Sequence, residues 1–111
     1  MNIFYWLKNC LLGRGRAEFL YQRGMRKAKK CDHEGALRDY TTTIDMPGIP
    51  ADLRAMLLYR RALVHVAAGD EAKGTDDLES LLAMKQAFVN VKTMARQELA
   101  KIASQSNKTS K

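Results

Sequence analysis

The chain has 111 residues, 46% of them apolar and 28% charged, and a formal net charge of +7. These values fit one compact globular domain, and no apolar run approaches the roughly 20 residues that a membrane-spanning helix needs. Its two cysteines, Cys10 and Cys31, are too few and too far apart for a disulfide framework or a zinc site, so reduced thiols and a cytoplasmic setting are expected.

The charge is unevenly placed. Residues 1–30 hold eight Lys or Arg and one acid, residues 31–84 five and ten, and residues 85–111 six and one. A uniform basic stripe would point to nucleic acid. Basic ends around an acidic middle instead suit an acidic partner or head-to-tail attraction between copies, and nucleic acid is not expected as a partner.

Residues 1–15 read as an apolar accessory helix followed by a hinge. Ile3, Phe4, Leu7, Cys10 and Leu11 recur at intervals of three and four, with Trp6 and Leu12 beside them, which gives one greasy face. Gly13 and Gly15 then break the pattern. The segment does not read as a signal peptide, because it lacks a basic start, Lys8 interrupts the apolar run and no small-residue cleavage site follows.

Four helices are expected next. The first spans about 17–30 and the second about 34–45, joined by a turn at Cys31-Asp32. The connector Met46-Pro47-Gly48-Ile49-Pro50 holds both prolines; it ends the second helix and opens the next. The third spans about 51–68. Gly69 should supply its left-handed cap, and Asp70 should cap the fourth, about 71–84. A fifth helix is expected over about 90–104, with Val91, Met94, Ala95, Leu99 and Ile102 as its apolar stripe. The polar stretch 105–111 is expected to be disordered.

The segment Leu20–Met46 returns thirty-eight residues later as Leu58–Met84. Leu20, Tyr21 and Arg23 return as Leu58, Tyr59 and Arg61; Asp32, Asp39 and Met46 return as Asp70, Asp77 and Met84. Small residues recur at matching places, Gly24 with Ala62 and Ala36 with Gly74, as do bulky ones, Tyr40 with Leu78 and Ile44 with Leu82. Such a duplication points to a helical repeat protein.

On these residues the chain resembles the tetratricopeptide repeat family. Its pattern of large, small, turn, small, large and Pro is filled by Leu20, Gly24, Ala36, Tyr40 and Pro47, and then by Leu58, Ala62, Gly69-Asp70, Gly74 and Leu78. The period departs from the family's 34 residues, Thr43 and Leu81 stand at a small-residue position, and Lys27 and His65 replace an aromatic. The resemblance implies an all-α, TPR-like α-α superhelix of antiparallel helical hairpins over residues 16–104: repeats at about 17–48 and 51–86 and a capping helix at about 90–104.

The resemblance further implies non-enzymatic binding of a peptide or protein segment in a concave groove formed by the first helix of each hairpin. Tyr21, Met25, Ala28 and Lys29, with Glu18, would line it from the first copy, and Met56, Tyr59, Leu63 and Val66, with Ala67, from the second. Lys29 is the one charge of the kind that the carboxylate-gripping branch of the family uses, so that branch is not expected.

Phe4, Trp6, Leu7 and Leu11 require cover. Two readings stand open: packing on the repeats, in cis or from a second copy as a homo-oligomer, or a membrane surface met by the apolar side chains with Lys8, Arg14 and Arg16 on anionic lipid. No catalytic residue, metal ligand or cofactor is expected. His33 and His65 lack partners at recognisable spacing, and Asp76, Asp77 and Glu79 read as a solvated helix face.

Overall fold

A computed structural model describes the backbone of residues 3–109 and the side chains of residues 15–107. The described residues form five α-helices and no strand: α1 (Ile3–Lys29), α2 (His33–Ile44), α3 (Ala51–Ala67), α4 (Glu71–Ala83) and α5 (Val89–Thr109). The fold is all-α. Helix boundaries recur at the spacing of the sequence duplication. Helices α1 and α3 end at Lys29 and Ala67, and α2 and α4 begin at His33 and Glu71.

The two hairpin turns are built alike. Cys31, with φ 62°, reverses the chain after α1, and Gly69, with φ 90°, reverses it after α3. Each is followed by an aspartate N-cap: Asp32 accepts from the Gly35 N–H at 3.0 Å, and Asp70 from the Lys73 N–H at 3.1 Å, which occupies backbone donors left free at the helix start. Between the hairpins, Gly48 takes φ 79° and Pro50 leads into α3 in an extended conformation.

Two expectations are corrected. Helix α1 runs unbroken through Gly13 and Gly15, so no hinge separates residues 1–15 from the first repeat. A helical glycine costs only about 1 kcal/mol relative to alanine, and the flanking Leu and Arg residues favour helix. Helix α5 continues to Thr109, well into the stretch expected to be disordered, because residues 105–109 contain no Pro or Gly to stop it.

Each helix packs on the next; α1 also touches α3, and α3 touches α5, whereas α2 and α4 do not meet. Thus α1, α3 and α5 form one layer and α2 and α4 the other, and the shortest dimension of the molecule, 17 Å, is that of two helical layers. Leu57, Leu78 and Leu81 are fully buried between them, beside Ala36, Ala55 and Ala62. Each such leucine contributes about 1.5–3 kcal/mol. The small residues set the spacing: a Cβ on Gly24 would lie 2.6 Å from Tyr40 Cε1, and one on Gly74 would lie 2.7 Å from Val66 Cγ2.

One ion pair locks each hairpin. Arg23 donates two hydrogen bonds to Asp39, both 2.8 Å, and Arg61 donates two to Asp77, both 2.7 Å. This fork geometry matches a guanidinium to a carboxylate. Asp77 is therefore buried and paired, a correction to its reading as part of a solvated face; its neighbours Asp76 and Glu79 are exposed. Lys27 and His65 occupy matching places beside these carboxylates, with Lys27 Nζ 3.2 Å from Asp39 Oδ2 and His65 Nε2 3.8 Å from Asp77 Oδ2. The positions where the repeat pattern expects an aromatic thus brace an acid instead.

Candidate functional site

The side of the α1/α3 layer that faces away from α2 and α4 carries two open recesses. Helices α1 and α3 run parallel, each reversed by an intervening helix. Residues Glu18, Tyr21, Met25 and Lys29 are spaced by three and four along α1, and Asp52, Met56, Arg60 and Leu63 likewise along α3. Each set forms a single stripe, and the two stripes border the same channel.

The first recess, about 240 Å³, is lined by Met25, Ala28 and Lys29 of α1 and by Arg60 and Leu63 of α3, with the Tyr40 ring as its wall. The second, about 300 Å³, lies towards the helix N-termini. Glu18 and Tyr21 face Leu53 and Met56 across it, Pro50 and Asp52 edge it, and Phe88, just before α5, and Val91 of α5 close it. Tyr21 and Tyr40 separate the two recesses, their rings tilted by 54° with centroids 6.3 Å apart. Both recesses lie at or below the lower end of the roughly 300–1,000 Å³ typical of small-molecule pockets, a size suited to docking individual side chains.

Seven of the ten expected groove residues line these recesses. Three do not, and of these Ala67 is exposed outside both. Val66 lies over Gly74, in the contact between α3 and α4. Tyr59 packs half-buried against the core with the Glu98 carboxylate of α5 near it. The Phe4, Trp6, Leu7 and Leu11 side chains lie outside the described residues.

Arg60, Tyr40, Leu53 and Phe88 are lining residues that the sequence reading missed. The family register assigns positions 59 and 63 of α3 to the groove, yet the helical step from Met56 leads to Arg60. That step of four was the available signal. Phe88 is exposed over 60% of its surface and belongs to no repeat position.

The electrostatics divide the channel. Lys29 and Arg60 stand at one end and Glu18 and Asp52 at the other. Burial pushes the Tyr40 hydroxyl up to about 12 and the Tyr59 hydroxyl above its ordinary value, so both rings stay neutral at physiological pH. Among the described residues no group of three or more His, Cys, Asp or Glu side chains converges on a point where a metal ion could sit, and no helix is long and apolar enough to cross a membrane.

Compared with protein families, curated proteins and solved structures, the chain matches none. The reading of the site therefore rests on its own geometry.

Proposed function

We propose that the chain is a tetratricopeptide-like scaffold. Two antiparallel hairpins and a capping helix wind as an α-α superhelix, and the layer of first helices holds a peptide or protein segment without catalysing a reaction on it. The observation that carries this reading is the half-open stripe in which Tyr21 and Met25 face Met56 and Leu63. The opposite sides of the same helices are filled by core. Side chains of this size each contribute about 1.5–3 kcal/mol on full burial, and a ligand laid in the channel supplies the missing cover. Aromatic rings serve as anchors at such interfaces, and Met adapts to the shape of what it meets.

Affinity capture of partners by the wild type and by Tyr21→Ala/Leu63→Asp tests the reading, with circular dichroism as the check on folding. The expected result is loss of captured partners from a variant that remains helical. Identical capture by both proteins overturns the reading.

Self-association is a second activity, favoured by one observation. Helix α1 has 27 residues and α2 has 12, so roughly 20 Å of α1 extends beyond its hairpin partner. That stretch carries Phe4, Trp6, Leu7 and Leu11. Light scattering on the full chain and on one lacking residues 2–12 should show a loss of mass beyond the deletion itself. If vesicle sedimentation shows salt-sensitive binding to anionic lipid and scattering shows a monomer, the segment is a membrane anchor instead.

A further inference from the structure

The channel between α1 and α3 carries a charge difference from end to end, and one of its cations has a buried nitrogen without an acceptor. Arg23 and Arg61 are committed to Asp39 and Asp77, and Arg54 donates to the Ile44 carbonyl at 2.7 Å. Arg60 differs. Its Nε is buried without a hydrogen-bond acceptor, and among the described residues neither Arg60 nor Lys29 pairs with a carboxylate. A buried donor left unmade is unfavourable, and Arg60 lies too far inside α3 for the helix dipole to account for it. At the other end Glu18 lies mid-helix in α1. Among the described residues neither it nor Asp52 has a cationic partner.

We propose that this channel reads the direction of the segment it binds: it takes a carboxylate side chain at the Lys29–Arg60 end, apolar residues over Tyr21, Met25 and Met56, and a basic side chain at the Glu18–Asp52 end. The inference rests on the reading of the channel as a protein-binding groove and adds polarity to it.

The dimensions agree with a short peptide. From Glu18 to Lys29 the helix rises about 16 Å, which an extended segment of about five residues spans. That separation exceeds the roughly 8–10 Å over which salt screens exposed charges, so each end acts on its own partner. A segment laid in reverse places its acid on Glu18 and Asp52 and its base on Lys29 and Arg60. Both juxtapositions repel, and repulsion against the wrong partner is how an interface gains specificity. The apolar middle is indifferent to direction, so the charged ends alone set it.

The test is selection of random dodecapeptides displayed on phage. The targets are the wild-type chain, Lys29→Glu/Arg60→Glu and Glu18→Lys/Asp52→Lys. Wild type is expected to enrich peptides in which an acid and a base flank apolar residues in one consistent order. The first variant should replace the acid with a base, and the second the base with an acid. A selected peptide resynthesised in reverse order, with the same composition and net charge, should bind about tenfold or more weakly. Should charge reversal unfold the chain, Lys29→Gln/Arg60→Gln replaces it and should loosen the wild-type peptides by a similar factor. Enriched peptides without charge order, or reversed peptides that bind equally well, overturn the polarity and leave groove binding standing. If no peptide enriches on wild type over Tyr21→Ala/Leu63→Asp, the groove reading and the polarity fall together.

Discussion

Arg61 holds Asp77 through two hydrogen bonds of 2.7 Å, and among the described residues no Lys or second Arg pairs with that carboxylate. In the first hairpin the corresponding Asp39 is held by Arg23 and also by Lys27, whose Nζ stands 3.2 Å from Oδ2. The second hairpin has His65 in place of the lysine, 3.8 Å away, and burial pushes the His65 imidazole below its ordinary value, so it is neutral at physiological pH. The same pair thus has a second cation in one copy and lacks it in the other.

Removal of the arginine should therefore have unequal effects. Arg61→Met leaves the Asp77 carboxylate in a nearly closed site with a neutral imidazole and should cost about 2 kcal/mol or more. Arg23→Met leaves Asp39 with Lys27 and should cost clearly less. Urea denaturation of the two variants beside wild type measures both losses. Equal losses would show that Lys27 gives Asp39 no support.

The duplication made this pair visible as recurring letters without revealing what they do. Arg23 with Asp39 and Arg61 with Asp77 recur at constant spacing, yet sixteen residues of separation put the partners on different helices, and a helix wheel of either one alone shows an acid that looks solvated. The helices themselves were legible, because Asp32, Asp70, Gly69 and the prolines are strong local punctuation. Their outer ends were not: Gly13–Gly15 and the polar stretch after Ser104 carry weak local signals, and helix continues through both. For the channel, the recurring tyrosines drew equal weight. Tyr21 lines a recess, but its counterpart Tyr59 is taken up by packing near α5.

Stability should depend on pH through two of these groups with the same sign. For His65, burial lowers the folded value, Asp77 pulls it back and Arg61 pushes it further down. The unfolded chain then takes a proton more readily than the folded one. Stability is complete above the ordinary value of about 6.5 and is lost as pH falls below it. The urea midpoint of wild type should drop more than that of His65→Gln between about pH 7.5 and pH 5.5. At lower pH Asp39 takes over. The Arg23 hydrogen bonds hold its carboxyl below the usual range, against the opposing effect of burial and with help from Lys27, so its contribution is present above about pH 4 and disappears as pH falls through the lowered value. Asp39→Asn should flatten that acid limb. An unchanged slope in either variant would mean that the group does not couple to folding.

The two hairpin turns invite an exchange. Cys31 takes φ 62° where the second copy has Gly69 at φ 90°. A side chain in the left-handed region costs about 1 kcal/mol or more, and glycine gives back part of the gain through its greater freedom in the unfolded chain. Cys31→Gly should raise stability by roughly 0.5 kcal/mol, and Gly69→Ala should lower it by about 1 kcal/mol. Thermal unfolding of both variants shows whether the signs are opposite, as the geometry requires.

The packing of Gly24 of α1 against Tyr40 of α2 gives the strictest test of the duplication. A Cβ on Gly24 would lie 2.6 Å from Tyr40 Cε1 and 2.9 Å from Cδ1, while the second copy places Ala62 and Leu78 at the same two positions, both fully buried. Alanine is the better helix former by about 1 kcal/mol, but overpacking of a filled core costs about 1–3 kcal/mol. The Tyr40 ring, itself buried, would have to shift to admit the methyl group. Gly24→Ala alone should therefore destabilise. Tyr40→Leu alone should also destabilise, because it leaves a void beside a glycine. Together they reproduce the pairing of the second hairpin, and the double variant should recover most of the combined loss. The double-mutant cycle should yield a coupling of about 1 kcal/mol or more in favour of the pair. Simple additivity of the two losses would mean that the small and large positions of the two copies are not interchangeable, and that the repeat is one of sequence without being one of packing.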